Sequence, residues 1–251
     1  YKLMQPGIIF LKSLQNSYNE IIEKLKMNKF TFVATNEEGL LFIHPNFILN
    51  KVNEKCLNNV EYFFCWGEIE RNILLEKFNV SSSKLILSGN ARIDILKEKN
   101  RDLLIEESNQ IKKKYGKFIL FTTKFGRANF IPRFGIKSWL DGQFFNGNLN
   151  KDDKEYLDIT KKSIKHEENN LKLFIKFLAR FNSQFPDRKL VIRPHPSENH
   201  ELYKFNTSEY KNILVVNDDK STNSWILASD YLIHCNCTTS VEAHILNKNS
   251  I

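Results

Sequence analysis

No apolar run in this 251-residue chain approaches the roughly 18 residues that a membrane-spanning helix needs, so the sequence offers no span. The opening YKLMQPGIIFLKS lacks a basic segment followed by an apolar region and a cleavage site, and does not read as a signal peptide. Cysteine is sparse. The four thiols, at 56, 65, 235 and 237, make no disulfide framework. Cys235 and Cys237 stand one residue apart, which would strain a disulfide, and a metal site would want two more ligands nearby. Free thiols in a reducing cytoplasm are the expectation. No basic tract stands out, and the aromatic residues sit in apolar runs and do not alternate with the lysines, which argues against nucleic acid as a partner. No GK[ST] closes a phosphate loop. No Asp-X-Asp stands where a metal-dependent transferase would use one. Asp152-Asp153 and Asp218-Asp219 read as solvated turn residues. Neither a metal nor a cofactor is expected.

What remains is a globular composition. Apolar residues make up 41% and charged residues 26%, enough for a packed core. The formal charge of +8 admits an anionic partner without choosing one. Short apolar runs alternate with helical periods along the chain. FTFVAT at 30–35, EYFFCWG at 61–67, KLILSG at 84–89, FILFTT at 118–123, LVIRP at 190–194, NILVV at 212–216 and YLIHC at 231–235 read as strands. Residues 19–27, 68–78 and 156–185 read as helices by their apolar spacing, with SWILA and TSVEAHIL as two more. Strand, helix, strand at this spacing predicts parallel sheets. The polar segment 101–117 reads as a helical linker. It divides residues 1–100 from a second unit over 118–251. The irregular stretch 124–150 is long enough to hide an extra helix. The first residue is not Met, and the chain stops at LNKNSI where a strand looks set to begin, so a piece incomplete at both ends is expected.

Five clusters place polar groups at strand ends, where open parallel sheets bind ligands. In RPHP, proline on either side of His195 stiffens the backbone and holds Arg193 and His195 extended. Arg193 fits a phosphate through its rigid donor fork, and His195 fits a phosphate or leaving-group oxygen; a plain strand stop explains the same residues. In HCNCTTSVEA, Asn236, Thr238, Thr239 and Ser240 bring polar groups to a helix N-terminus, with Glu242 as a cap or a ribose acceptor. In TTKFGRAN, Lys124, Gly126 and Arg127 follow a strand and suit a phosphate approach. In LSGNARIDIL, Asn90 and Arg92 stand at a helix start, with Asp94 as an alternative partner for Arg92. In NEEGLLF, Glu37 and Glu38 follow a strand directly, as a general base, a sugar-hydroxyl acceptor or a capping pair.

Taken together, NEEG 36–39, Trp66-Gly67, SGNARID 88–94, TTKFGRAN 122–129, RPHPSE 193–198 and NCTTSVEA 236–243 resemble the bacterial surface-carbohydrate (capsule and lipopolysaccharide) biosynthesis proteins. Those proteins have a two-domain glycosyltransferase fold of the B type. The chain also looks like the neighbouring glycerophosphotransferase and capsule Kdo-transferase families. Ala91 departs from the Gly-Asn-Pro-Arg that relatives tend to show. The resemblance implies an α/β protein with two Rossmann-like parallel-sheet domains facing a cleft. It implies a UDP-, GDP- or CMP-linked sugar donor bound by the second domain, with His195 and residues 238–240 at its phosphate and Glu242 at its ribose. The acceptor side, with Asn90 and Arg92, and the base, Glu38 or Glu37, would come from the first domain. A saccharide or lipid-linked acceptor follows, in a cytoplasmic protein that peripheral association would bring to the inner membrane face. A CDP-glycerol or ribitol-type phosphotransferase and a non-catalytic nucleotide-binding scaffold are the alternatives.

Overall fold

Eight apolar segments too short and too β-branched or aromatic to be helices pair as parallel strands. The computed structural model describes residues 5–37, 44–131, 135–235 and 237–251. It falls into two compact units, residues 1–93 and 94–251.

The first unit runs β1 (Ile8–Leu11), α1 (Asn19–Lys26), β2 (Thr31–Thr35), α2 (Asn46–Leu49), α3 (Glu54–Asn59), β3 (Tyr62–Cys65), α4 (Glu68–Lys77), β4 (Leu85–Leu87) and the single turn α5 (Ala91–Asp94). Its sheet has the order β1-β2-β3-β4, all parallel. Side chains alternate across a strand. Phe32, Ala34, Phe63, Cys65 and Leu85 therefore point to one face, where they join Leu14, Ile22, Leu57 and Leu74 in a core. The opposite face carries Ile8 and Phe10, which are 74% and 60% exposed, with Tyr62 and Ile86 beside them. The strand β1 carries no buried residue and escaped the sequence reading for that reason.

The second unit runs α6 (Asp102–Tyr115), β5 (Ile119–Thr122), α7 (Trp139–Phe145), α8 (Lys154–Gln184), β6 (Leu190–Arg193), α9 (His200–Thr207), β7 (Ile213–Val215), α10 (Thr222–Ala228), β8 (Tyr231–His234) and α11 (Thr238–Ile245). The strand order is β7-β6-β5-β8, all parallel. Residues 249–251 continue the sheet alongside β8, with Ser250 bridged to Leu232. Phe121, Leu190, Ile192 and Ile213 face α8 and α9, packing on Phe174, Leu178, Phe181 and Tyr203. Alternation sends Leu120, Val191 and Leu232 to the other face, all fully buried. Trp225 of α10 anchors that layer against Tyr115 and Phe118, at ring distances of 5.0 and 5.7 Å.

The segment expected as a linker over 101–117 is helical. It is not a linker: α6 belongs to the second unit and packs along α10 through the face that holds Leu104, Ser108 and Ile111. The hidden helix expected in 124–150 is α7, and the long helix expected at 156–185 begins two residues earlier, at Lys154, where the Asp153 side chain caps it. The helix α9 was not foreseen.

Candidate functional site

In the second sheet the chain steps outward from β5 to β6 to β7, then returns to lay β8 on the other side of β5. Ligands of doubly wound sheets bind at such a reversal, outside the carboxyl ends of the strands. Here Thr122 and His234 lie opposite each other at those ends. Thr122 Oγ1 is 3.0 Å from Thr239 Oγ1 in the first turn of α11, so the two strand-end loops meet through hydroxyls. Thr239 also receives or gives a hydrogen bond with Cys237 Sγ at 2.8 Å, and Ser240 bonds back to the Cys237 carbonyl through both its backbone N–H and its hydroxyl. The first-turn N–H groups of such a helix have no intrahelical acceptor and carry its positive dipole end. The expected hydroxyl-lined helix start is thus present, with Thr238 at its first position. Asn236 lies outside the described residues. Glu242 is in the second turn, not the first, and is buried.

Two buried acids hold the loop after β5 from beneath. Glu198 is fully buried. It accepts the Thr123 hydroxyl at 2.7 Å, the Phe125 N–H at 2.6 Å and the Tyr203 hydroxyl. Glu167 of α8 accepts the Arg127 N–H at 3.0 Å and pairs with its guanidinium at 3.4 Å, while that guanidinium also lies 5.3 Å over the Trp139 ring. Burial pushes both carboxyls above the ordinary range; hydrogen bonds to Glu198, and the Arg127 charge beside Glu167, work against it. The Arg127 guanidinium, expected to approach a phosphate, is paired with Glu167 of α8. Lys124 is exposed on the same loop. At Gly126 a Cβ would stand 2.7 Å from Ser197 Oγ and would displace that hydroxyl.

The RPHP turn divides its roles. By strand alternation Arg193 lies on the Trp225 face. Its guanidinium pairs with Asp218, donates to the Lys220 carbonyl at 3.0 Å and stacks 5.2 Å over the indole. The same Asp218 carboxylate accepts the Trp225 Nε1–H at 3.1 Å. Arg193 thus ties β6 to the loop before α10, and Asp218 is not the solvated turn residue expected. His195 is exposed. Its backbone N–H donates to Thr123 Oγ1 at 3.1 Å, and its Nδ1 faces Ser197 Oγ at 2.8 Å. Thr123 links the two loops, donating to Glu198 and accepting from His195.

In the first unit, Glu37 pairs with Lys12 at 3.2 Å, and its N–H bonds the Lys12 carbonyl. Glu38 and Gly39 lie outside the described residues. Asn90 caps the α5 turn by accepting the Arg92 N–H at 2.9 Å, and Asp94 pairs with Lys97 at 2.6 Å. An acid that the sequence gave no reason to single out, Glu70, is buried in the first turn of α4, just after β3. It accepts the Trp66 N–H at 2.8 Å, and the Trp66 indole in turn donates to the Asn36 carbonyl. Burial raises the Glu70 carboxyl above the ordinary range, against hydrogen bonds from Trp66 and Asn36. A group whose folded pKa is raised favours the fold fully below its unfolded pKa, and that contribution is lost as pH rises through the folded value. The stability of wild type relative to Glu70→Gln is therefore expected to fall as pH climbs from the ordinary carboxylate range upward. Urea denaturation of both proteins over a pH series measures it, and a difference independent of pH refutes the assignment.

All four cysteines are free thiols. Burial pushes Cys65 and Cys235 up to about 12, which makes both poor nucleophiles at neutral pH. Among the described residues no group of three or more His, Cys, Asp or Glu is arranged to hold a metal ion. No described helix is long and apolar enough to cross a membrane.

No family model matches the chain, and no curated protein matches it in sequence. Solved structures do match in fold. The UDP-GlcNAc 2-epimerase from Neisseria meningitidis, bound to UDP-GlcNAc, is 14% identical with a TM-score of 0.57 over 97% of this chain and 58% of that one. The enzyme of the same name from Methanocaldococcus jannaschii, in complex with UDP-GlcNAc and UDP, is 16% identical with a TM-score of 0.58 over 98% and 60%. The wall teichoic acid polymerase TagF reaches a TM-score of 0.45 at 14% identity over 88% and 48%, too low to carry weight. The chain thus spans about three fifths of the epimerase chains it matches. The fold is the expected one: two parallel α/β units of the glycosyltransferase B kind.

Proposed function

We propose that this chain is the greater part of a nucleotide-sugar enzyme that transfers a sugar in bacterial surface-polysaccharide synthesis. The observation that carries the reading is the switch point between β5 and β8, where Thr122, Thr239 and the start of α11 meet. Hydroxyls and helix N–H groups there suit a diphosphate without adding negative charge. His195, one loop away, is anchored through Thr123 to the same ends. Transfer chemistry at such a place is mostly positioning and stabilisation of the departing phosphate. Glu37 or Glu38 is the proposed base, and Asn90 and Arg92 the proposed acceptor side. A second reading, epimerisation of a UDP-sugar without any acceptor, is favoured by the fold likeness to the two 2-epimerases bound to UDP-GlcNAc.

Both readings require nucleotide binding. A ligand at about 100 times its Kd stabilises the native state by about 2.7 kcal/mol. For a domain of this size that raises Tm by about 5–10 °C. A thermal-shift panel of UDP, GDP, CMP and CDP is expected to show this for one base and not the others. No shift with any of them overturns the proposal. A positive base is then tested with its sugar conjugates: release of nucleotide that depends on a saccharide acceptor supports transfer, and conversion of the sugar without acceptor supports epimerisation.

A further inference from the structure

The RPHP turn fixes which nitrogen of His195 carries the proton. Nδ1 receives two groups from Ser197, its backbone N–H at 3.2 Å and its hydroxyl at 2.8 Å. A backbone N–H only donates, so Nδ1 is the acceptor nitrogen, and the Ser197 hydroxyl that shares it also donates. In a neutral imidazole whose Nδ1 accepts, the proton sits on Nε2. The rest of His195 is tied down. Its N–H reaches Thr123 Oγ1, and its carbonyl accepts the Glu198 N–H at 2.9 Å and His200 Nε2 at 3.1 Å. Pro194 and Pro196 stiffen the backbone on either side.

The opposing loop makes room for this arrangement. Gly126 does not have a left-handed backbone, so conformation does not demand glycine there. What a side chain would change is the serine: a Cβ would stand 2.7 Å from Ser197 Oγ, so that hydroxyl would have to turn away. The side-chain-free position on the β5 loop and the hydroxyl on the β6 loop are matched, and what they share is the orientation of one imidazole.

We propose that Ser197, accommodated by Gly126, is a positioning residue that holds neutral His195 as the Nε2–H tautomer, so that His195 meets its ligand as a hydrogen-bond donor and not as a base. An N–H donor suits an anionic phosphate oxygen and leaves deprotonation of an acceptor to another group. The inference rests on the reading above only for what His195 faces; the tautomer itself is a property of the free protein.

The test is therefore made without ligand. Long-range ¹H–¹⁵N correlation spectra of the labelled chain, recorded well above the titration of the ring, distinguish an imine-type Nδ1 from an N–H-type Nδ1. Wild type is expected to show imine-type Nδ1 and N–H-type Nε2. In Ser197→Ala, and in Gly126→Ala where the added methyl crowds the hydroxyl, the Nδ1–H population is expected to rise about two- to tenfold, the factor for one neutral hydrogen bond. Retention of the fold is checked by circular dichroism on each variant. An N–H-type Nδ1 in wild type overturns the proposal even if both variants misfold, and so does an unchanged tautomer ratio in a folded Ser197→Ala. Failure of the functional reading shows itself separately, as absence of nucleotide binding with the tautomer intact.

Discussion

On the proposed reading, replacing His195 with alanine is expected to slow turnover of the nucleotide-sugar by about 10²–10³-fold, the usual loss when one preorganised donor to a developing oxyanion is removed. The fold is expected to survive, because what anchors the turn is backbone. The His195 N–H, its carbonyl and the Glu198 network beneath it are all kept in alanine. The imidazole is exposed, so its removal opens no cavity. The effect should fall on the rate more than on donor affinity, since a donor aimed at the departing phosphate gains most when charge develops there. Initial rates at saturating and limiting donor separate the two. A variant that turns over donor at the wild-type rate removes His195 from the chemistry. A variant that has lost its thermal transition makes the residue structural instead.

Trp225→Ala is expected to be the most damaging single change to the second unit. The indole is fully buried among Tyr115, Phe118 and the Arg193 guanidinium. Truncating a buried aromatic to alanine destabilises by about 3–5 kcal/mol, and a domain of this size loses about 2–4 °C of Tm for each. A fall of about 6–20 °C follows. Two further losses act in the same direction. Asp218 gives up its bond from Nε1, and the clamp formed by Arg193 and Asp218 loses the surface it lies on. Trp225→Phe retains a ring but not the N–H, and is expected to fall between alanine and wild type. Scanning calorimetry of the three proteins decides it. A shift below about 2 °C for the alanine variant would mean that the cavity collapses freely or that the layer between α6 and α10 is not what holds the unit together.

The strand β6 was legible because a buried parallel strand reads as a near-continuous apolar run, and LVI is such a run. The hydroxyls before α11 were legible as a strand-to-helix junction. The sheet order was not, because pairing β5 with both β6 and β8 is a long-range choice that no local window contains. That order is what brings the ends of β5 and β8 side by side. The partner of Arg193 was hidden for the same reason: Asp218 comes 25 residues later and is brought to it only by the register of β6 against β7. The acids Glu70, Glu167 and Glu198 carry no sequence mark of burial, since a carboxylate that collects backbone N–H groups is spelled like one in solvent. The helix α6 looked like a linker because charge dominates its composition, although Leu104, Ser108 and Ile111 keep the spacing of a single buried face.

The same strand order sets a timetable for synthesis. The central strand β5 leaves the ribosome with neither neighbour made. Its partner β6 follows about 70 residues later and β8 about 110 residues later. At about 5–20 residues per second, β5 waits roughly 5–20 s before its second edge is covered. Until β6 is made, Phe121 has only the emerging α8 to pack against, while Leu120, on the opposite face, waits for the later strands and α10. The sheet edge beside β5 is then left open for seconds during synthesis, and the yield of folded protein should respond to the speed of translation across residues 119–234.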